Sequence, residues 1–362
     1  MKIAITVEAL RDRHFAGVQQ YIHNLIHPLA ECVDLDLTLI ASSQPPRSLF
    51  PDQAGLIYHT PPMVFGSGLF SAVFAPPRGL SGFDLIHCPT VTAPFFFRPN
   101  AKVVMTVHDL VPLLFPEWQT RRRVLYFKYI LKHRFRFVDR FIAVSHSTRR
   151  DLIHHFHIPE DKIDVIHEGV SGQFKPASAS REAFILAVST LEPRKNFKRI
   201  IEAFVSLRKK EKTRDRLVIV GKEGWLFDEI IRVPAAFQDD VVFTGYVSEA
   251  ELIHLYQTAR CFVYPSMYEG FGLPVLEAMA CGCPVITSNT SSMPEVAGDA
   301  ALLVDPCVVD DIEDAICRLT NDPALCAELS AKGIQRASGF SWRRTAQQTL
   351  DVYRKIVTED DA

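Results

Sequence analysis

Short apolar runs rich in Val and Ile recur along the chain with amphipathic stretches between them, which predicts the alternating strands and helices of parallel α/β sheets. In the first half the runs fall at Lys2–Val7, Leu35–Ala41, Leu85–Cys88, Val103–Val107, Phe141–Val144 and Asp164–His167. The second half repeats the scheme at Phe184–Val188, Leu217–Val220, Val241–Thr244, Phe262–Tyr264, Val285–Thr287 and Leu302–Val304. Between them, Glu168-Gly-Val-Ser-Gly-Gln-Phe-Lys-Pro-Ala-Ser-Ala-Ser-Arg181 is rich in Gly, Ser, Ala and Pro and reads as an interdomain linker. The expected boundaries are 1–168 for a first doubly wound domain, 169–182 for the linker and 183–340 for a second. After Phe340-Ser-Trp342 the pattern of Ala346, Leu350, Val352, Tyr353 and Ile356 is helical, so 341–362 reads as a terminal helix, expected to cross back to the first domain, the alternative being a simple surface helix. Two such domains are expected to turn the carboxyl ends of their strands toward a shared cleft, where ligands bind in these folds.

At 362 residues the chain has room for two domains, and a composition 48% hydrophobic and 23% charged is that of a globular protein. Charge is unevenly spread: 18 Lys and Arg against 15 Asp and Glu up to Glu168, and 22 against 27 after it. Twelve of the thirteen histidines also precede Glu168, which suggests halves with different tasks. An overall formal charge of −2 argues against a nucleic-acid partner. Met1-Lys-Ile-Ala-Ile-Thr-Val7 has no signal-peptide layout, and no apolar run approaches ~18 residues. The expectation is therefore a cytoplasmic chain without a spanning helix. The eight cysteines include no Cys-x-x-Cys pair, so they are expected to be reduced, buried small hydrophobes, and no metal-ligand spacing is present.

The richest chemistry lies in Tyr268-Glu-Gly-Phe-Gly-Leu-Pro-Val-Leu-Glu-Ala-Met-Ala-Cys-Gly282, just after the buried strand at Phe262–Tyr264. Gly270 and Gly272 let backbone pass close to a ligand around Phe271. Pro274 suits a first helical turn and Gly282 a helix C-cap, so a helix starts near Leu273 with its free N–H groups and positive dipole end at the strand's carboxyl end. That is an anion site suited to a diphosphate. Glu269 and Glu277 flank it, and carboxylates beside phosphates make sense as acceptors for sugar hydroxyls. The plainer alternative is a strand-turn-helix with two surface glutamates.

Other candidates also end strands. Arg194 and Lys195, in Val188-Ser-Thr-Leu-Glu-Pro-Arg-Lys-Asn196, put a fork-shaped and a point cation at the mouth of a helix over Phe197–Leu207. They suit a diphosphate leaving group whose charge must be neutralised as the glycosidic bond breaks, the alternative being two solvated helix-start charges. His108, in Val107-His-Asp-Leu110, is placed to hydrogen-bond a sugar hydroxyl or phosphate, with Asp109 orienting it or meeting an acceptor; a structural His–Asp pair is the alternative. In the opening loop Arg11–Gln20, Gly17 can let backbone amides reach a phosphate, the alternative being an ordinary βα turn. Gly221 and Lys222, in Gly221-Lys-Glu-Gly224, and Tyr246 and Val247, in Thr244-Gly-Tyr-Val247, form loops that could hold the nucleotide, the latter pair reading the base edge through backbone groups. The chain lacks both Gly-x-x-x-x-Gly-Lys-Ser/Thr and a complete Gly-x-Gly-x-x-Gly, which argues against a nucleotide hydrolase or a dehydrogenase.

Taken together these stretches resemble glycosyltransferase family 4. The Glu-x7-Glu segment, Pro294-Glu-Val-Ala-Gly298, Leu302-Leu-Val-Asp-Pro306, Thr190-Leu-Glu-Pro-Arg-Lys-Asn196, Gly221-Lys222, Gly245-Tyr246, Val144-Ser145 and Phe340-Ser-Trp342 carry the resemblance over nearly the whole chain. It implies the GT-B architecture, two Rossmann-like domains with parallel sheets, and metal-independent, retaining transfer of a sugar from a nucleotide diphosphate. By that likeness Glu269 holds the donor sugar's hydroxyls and Glu277 the ribose. Backbone amides at Phe271–Leu273, with Arg194 and Lys195, hold the diphosphate, while His108 and Gly17 match the first-domain histidine and glycine loop. Many members carry two glycines in that loop where this chain has Ala16-Gly17, a departure from the pattern. With no carboxylate pair evident for double displacement, the expected mechanism is front-face attack, the departing phosphate oxygen taking the acceptor's proton. Closure of the domains about the linker would then keep out water that hydrolyses the donor.

Thr-Leu-Glu-Pro-Arg-Lys-Asn with the Val-Gly-Lys-x-Gly-Trp225 turn is most similar to bacterial mannosyltransferases of O-antigen and exopolysaccharide assembly, implying GDP-mannose and a saccharide or lipid-linked acceptor. Alternatives are a UDP-sugar-dependent transferase of the same family, a nucleotide-sugar epimerase of the same architecture, and a non-enzymatic nucleotide-sugar sensor. The basic, aromatic segment Arg121–Arg136 could lay a helix on the inner face of an anionic membrane, or be an amphipathic domain helix with solvated charges.

Overall fold

The computed structural model describes residues 1–11, 17–41, 49–52, 54–58, 82–91, 99–178, 180–222 and 233–358. It divides into two compact units: Met1–Gly169 with Trp342–Ala362, and Val170–Ser341.

The first unit is built on a parallel sheet of β1 (Lys2–Thr6), β2 (Asp36–Ala41), β3 (Gly55–Tyr58), β4 (Leu85–Cys88), β5 (Lys102–Val107), β6 (Arg140–Ala143) and β7 (Ile163–Val165), in the order β3-β2-β1-β4-β5-β6-β7. Runs such as Leu85–Cys88 are buried at every residue, because helices cover both faces of a parallel sheet. The sequence pattern missed β3, a four-residue edge strand with only Leu56 and Ile57 as aliphatics. It exists because β2 offers it a parallel partner, in a register running from Thr38 opposite Gly55 to Ala41 opposite Tyr58. The helix Gly17–Ala30 packs against the terminal helix Trp342–Thr358, whose Ala346, Leu350, Tyr353 and Ile356 are buried one or two turns apart.

The second unit repeats the winding with β8 (Phe184–Val188), β9 (Arg216–Val220), β10 (Val241–Gly245), β11 (Cys261–Tyr264), β12 (Val285–Ser288) and β13 (Ala301–Val304), in the order β10-β9-β8-β11-β12-β13. Its core joins Ile185, Leu217, Ile219, Val263 and Ile286 of the sheet to Phe197, Ile201, Phe204, Ile312 and Ile316 of the covering helices. Residues from Val170 onward already belong to this unit, and Arg181 anchors them by donating to the carbonyls of Tyr256, Gln257, Ala259 and Gly282. All eight cysteines are free, but only Cys88, Cys261, Cys281 and Cys283 are buried. Cys307 is exposed in the turn after β13, a departure from the expected burial.

In each sheet the winding direction reverses once, between β1 and β4 and between β8 and β11. At such a point the connections leave on opposite faces, so the carboxyl ends of the two strands open onto a crevice. That places the loops after β8 and β11 side by side.

Candidate active site

In the second unit, β11 ends at Tyr264 and the chain turns through Glu269 and Gly272 into the helix Leu273–Ala280. Gly272 has φ of 115°, a left-handed conformation, and a Cβ there would come within 2.3 Å of the Met293 methyl carbon. The turn is tied down by Ser292, whose hydroxyl bridges the carbonyls of Glu269 (3.0 Å) and Phe271 (2.7 Å), and by the Glu269 amide donating to Ser291 Oγ (3.0 Å). Phe271 is buried against Phe340, ring centroids 6.0 Å apart.

Glu269 is itself buried, which removes the reading of a surface carboxylate. Its Oε1 accepts hydrogen bonds from Lys195 Nζ (2.6 Å), Ser266 Oγ (2.6 Å) and Tyr264 Oη (2.9 Å), and its Oε2 one from Arg194 Nη1 (2.7 Å). Lys195 Nζ also donates to Tyr264 Oη at 2.6 Å, and Arg194 Nε to Glu192 at 3.0 Å. The adjacency of β8 and β11 makes this possible, reinforced by the Met267 amide donating to the Arg194 carbonyl (2.8 Å). Asn196, left-handed at φ 65°, joins these loops by donating to the Pro265 carbonyl and ties them to the turn after β13 by donating to the Pro306 carbonyl.

Burial alone would raise the Glu269 carboxyl, but the Arg194 and Lys195 charges outweigh it and bring the group down to about 2. Lys195 moves the other way from its ordinary value: burial and the neighbouring Arg194 charge bring it down to about 8 against the pull of Glu269. The asymmetry has a simple origin. One carboxylate is shared by two cations, whereas each cation feels the other as well as the anion. Arg194 and Lys195 are therefore not solvated helix-start charges.

Glu277, one turn into the helix, is also buried and accepts from Tyr256 Oη at 3.4 Å. Gly221 follows β9 with φ of 155°, and a Cβ on it would lie 1.8 Å from the Ser189 carbonyl oxygen, so the loops after β8 and β9 touch through backbone. Lys222 Nζ lies 5.2 Å from the centroid of the Tyr246 ring, which is 62% exposed at the end of β10, with Val247 half-buried beside it. Glu223, Gly224 and Trp225 lie outside the described residues.

In the first unit His108 follows β5. Its Nδ1 lies 2.9 Å from Glu168 Oε1 and its Nε2 3.0 Å from the Pro89 carbonyl oxygen. Asp109 is not its partner: Asp109 Oδ1 accepts from the Val111 amide at 3.1 Å, starting the short helix Val111–Leu114. Glu168 takes the expected role of Asp109 because the carboxyl end of β7 brings it alongside. Gly17 opens the helix Gly17–Ala30 and is exposed, while residues 12–16 of its loop lie outside the described residues.

The basic segment is helical from Arg121 to Phe137, with a π-helical turn over Tyr126–Leu131. Tyr126, Phe127, Leu131 and Phe135 are buried in the core, while Arg121, Arg122, Arg123, Lys128, Lys132 and Arg136 are exposed.

Tyr264, Ser266 and Glu168 were missed by sequence reasoning. Tyr264 and Ser266 could have been flagged by their place at the carboxyl end of the strand next to the reversal point. No local signal marks Glu168.

Residues 172–336 match the family described as Glycosyl transferases group 1, and residues 15–173 match Glycosyltransferase Family 4. The chain is 34% identical over 279 residues to O-antigen chain mannosyltransferase B of Escherichia coli, a match covering 73% of each. It is 32% identical over 278 residues to serotype-specific mannosyltransferase WbdA of Escherichia coli, but that match spans only 34% of the relative's length. Among solved structures it is similar to sucrose-phosphate synthase from Thermosynechococcus elongatus, with TM-score 0.77, 21% identity and 99% of both chains covered. It is also similar to Anabaena HepE in complex with UDP-glucose, with TM-score 0.76, 17% identity, 98% of this chain covered and 100% of that one.

Proposed function

Because the chain belongs to glycosyltransferase family 4, we propose that it transfers mannose from GDP-mannose, with retention, to a saccharide or lipid-linked acceptor of a cell-surface polysaccharide. Membership makes it a glycosyltransferase of GT-B architecture; the choice of mannose is supported by relatives bearing mannosyltransferase names.

The observation that carries the reading is the buried Glu269 carboxylate clamped by Arg194 and Lys195 beside the N-terminus of the helix Leu273–Ala280. In this reading the helix end and the remaining donors of Arg194 and Lys195 take the diphosphate, neutralising it as the glycosidic bond breaks. Glu269, already ionised, uses a remaining lone pair for a donor-sugar hydroxyl, and Glu277 takes the ribose. Gly221 and Lys222 help hold the nucleotide, backbone groups of Tyr246 and Val247 read the base edge, and in the first unit His108 and Gly17 are the candidate contacts. With Arg194 and Lys195 taking up the developing charge, this scheme does not call on a metal.

A thermal-shift panel of GDP, UDP, ADP, GDP-mannose and UDP-glucose tests the donor. A ligand selective for the folded state stabilises by about 2.7 kcal/mol at a hundredfold excess over Kd. Shifts confined to GDP and GDP-mannose are expected. Shifts with UDP compounds alone would overturn the donor, and free sugar released without an acceptor would favour the epimerase.

Among the described residues no helix is long and apolar enough to cross a membrane. Peripheral attachment at the inner face is supported by the six exposed cations of the segment 121–136, which flank exposed Leu125 (54%) and Tyr129 (61%) one helical turn apart. Changing Arg121, Arg122 and Arg123 to Glu should abolish flotation with anionic vesicles; equal flotation would sink the idea.

A further inference from the structure

Both ring nitrogens of His108 are engaged by acceptors. The Pro89 oxygen is a carbonyl, which can only accept, so Nε2 carries a hydrogen. Nδ1 faces the carboxylate of Glu168, which is itself only 4% exposed and accepts a hydrogen only if Nδ1 carries one. The residue lies at the carboxyl end of β7, one position before Gly169, the last residue of the first unit's main segment.

The surroundings make the pair specific. His108 packs edge-on against the Tyr21 ring, centroids 4.7 Å apart, and its carbonyl accepts from Thr148 Oγ1 at 3.2 Å. A second histidine, the fully buried His87, lies nearby, with Nε2 on Thr106 Oγ1 at 2.8 Å and Nδ1 on Tyr353 Oη at 2.5 Å. Two hydroxyl partners can satisfy a neutral ring, and burial, aided by the His108 charge, pushes His87 down to about 3. For His108 burial works the same way but is outweighed by the Glu168 hydrogen bond and charge, the Pro89 carbonyl and the Asp109 charge, which together raise it. Among the described residues, the titratable groups facing the ring are Glu168, Asp109, Tyr21 and His87.

We infer that Glu168 is a positioning residue for transfer: its carboxylate pins His108 at Nδ1 as a doubly protonated imidazolium, leaving Nε2–H as the one donor the ring can exchange from Pro89 to a substrate oxygen. This rests on the reading that His108 contacts the donor or acceptor. A charged N–H is a shorter, stronger donor to a hydroxyl or phosphoryl oxygen than a neutral one, and a ring held at one nitrogen cannot flip to present the other.

The test is a pH titration of ¹⁵N-histidine-labelled protein by long-range proton–nitrogen correlation, His108 being assigned from the signal lost in His108→Gln. In wild type both His108 nitrogens should stay protonated above the ordinary histidine range, around 6.5. Glu168→Gln keeps an acceptor but no charge, so the titration should move to lower pH, while Glu168→Asp keeps it high. In a transfer assay, Glu168→Gln should lower kcat about tenfold with donor KM little changed, and move the alkaline limb of the profile down in pH, with Glu168→Asp restoring it. A neutral single-tautomer ring in wild type, or a titration unmoved by Glu168→Gln, overturns the proposal. So does a titration that moves while kcat and its profile stay put. Absence of transfer by wild type from any nucleotide sugar would refute the proposed function instead, and the titration would still decide the pair.

Discussion

Replacing Glu269 by glutamine keeps the side chain's shape and removes its charge, leaving Arg194 and Lys195 next to each other with no anion between them. A carboxyl held at about 2 instead of its ordinary 4.5 is favoured when ionised in the folded state. At about 1.4 kcal/mol for each tenfold change in proton affinity, that amounts to about 3 kcal/mol. Breaking one side of a buried ion pair costs about 3–5 kcal/mol, and the lower end applies because Lys195, already brought down to about 8, can shed its proton once Glu269 is gone. The sign in pH is fixed by the direction of the shift. A depressed carboxyl stabilises fully above its unfolded value and ceases to do so as pH falls through about 2. Urea unfolding followed by far-UV circular dichroism, wild type and Glu269→Gln in parallel at pH 7.5 and pH 3, reads this out. Only the transition of the second unit should move, and the gap should be smaller at the lower pH. Equal stability at pH 7.5, or a gap undiminished at pH 3, would refute the argument that the carboxylate's charge holds this cluster together.

Lys195 should also make donor binding pH-dependent: it loses its charge as pH rises through about 8, so the Kd for a nucleoside diphosphate should weaken about tenfold between pH 7 and 9. Calorimetric titration checks this, with Lys195→Arg expected to flatten the dependence and equal wild-type Kd values speaking against it. Tyr264→Phe removes a hydroxyl that accepts from Lys195 and donates to Glu269, which should cost about 1–2 kcal/mol of stability and weaken donor binding, both measurable by thermal shift. Gly221→Ala forces a Cβ to within 1.8 Å of a backbone oxygen and should lower stability by roughly 3 kcal/mol or more, as scanning calorimetry would show. Gly245→Ala, at φ 70° with nothing within 4 Å, should cost only about 1 kcal/mol; the reverse order would contradict the close-approach account.

Much of the molecule is legible along the chain. Twelve strands announce themselves because a strand covered on both faces is mostly apolar, as Phe184–Val188 and Cys261–Tyr264 are. The turn from Glu269 to Leu273 is equally visible, since only glycine takes φ of 115° at Gly272 without strain and proline opens a helix. The edge strand Gly55–Tyr58 was invisible because its partner, not its composition, makes it a strand.

The side-chain partnerships were decided elsewhere. Lys195 and Glu269 stand 74 residues apart, and they meet because β8 and β11 are neighbours in the sheet, a fact of winding order that no local pattern encodes. Glu168 meets His108 across 60 residues, although β7 and β5 are separated in the sheet by β6. Which residues carry charge, which backbone turns need glycine and which segments must be buried can all be read along the chain, because those follow from each residue's own chemistry and its near neighbours. Which carboxylate neutralises which cation is settled by the folded arrangement alone, because that depends on distance in space and on the loss of water around the pair.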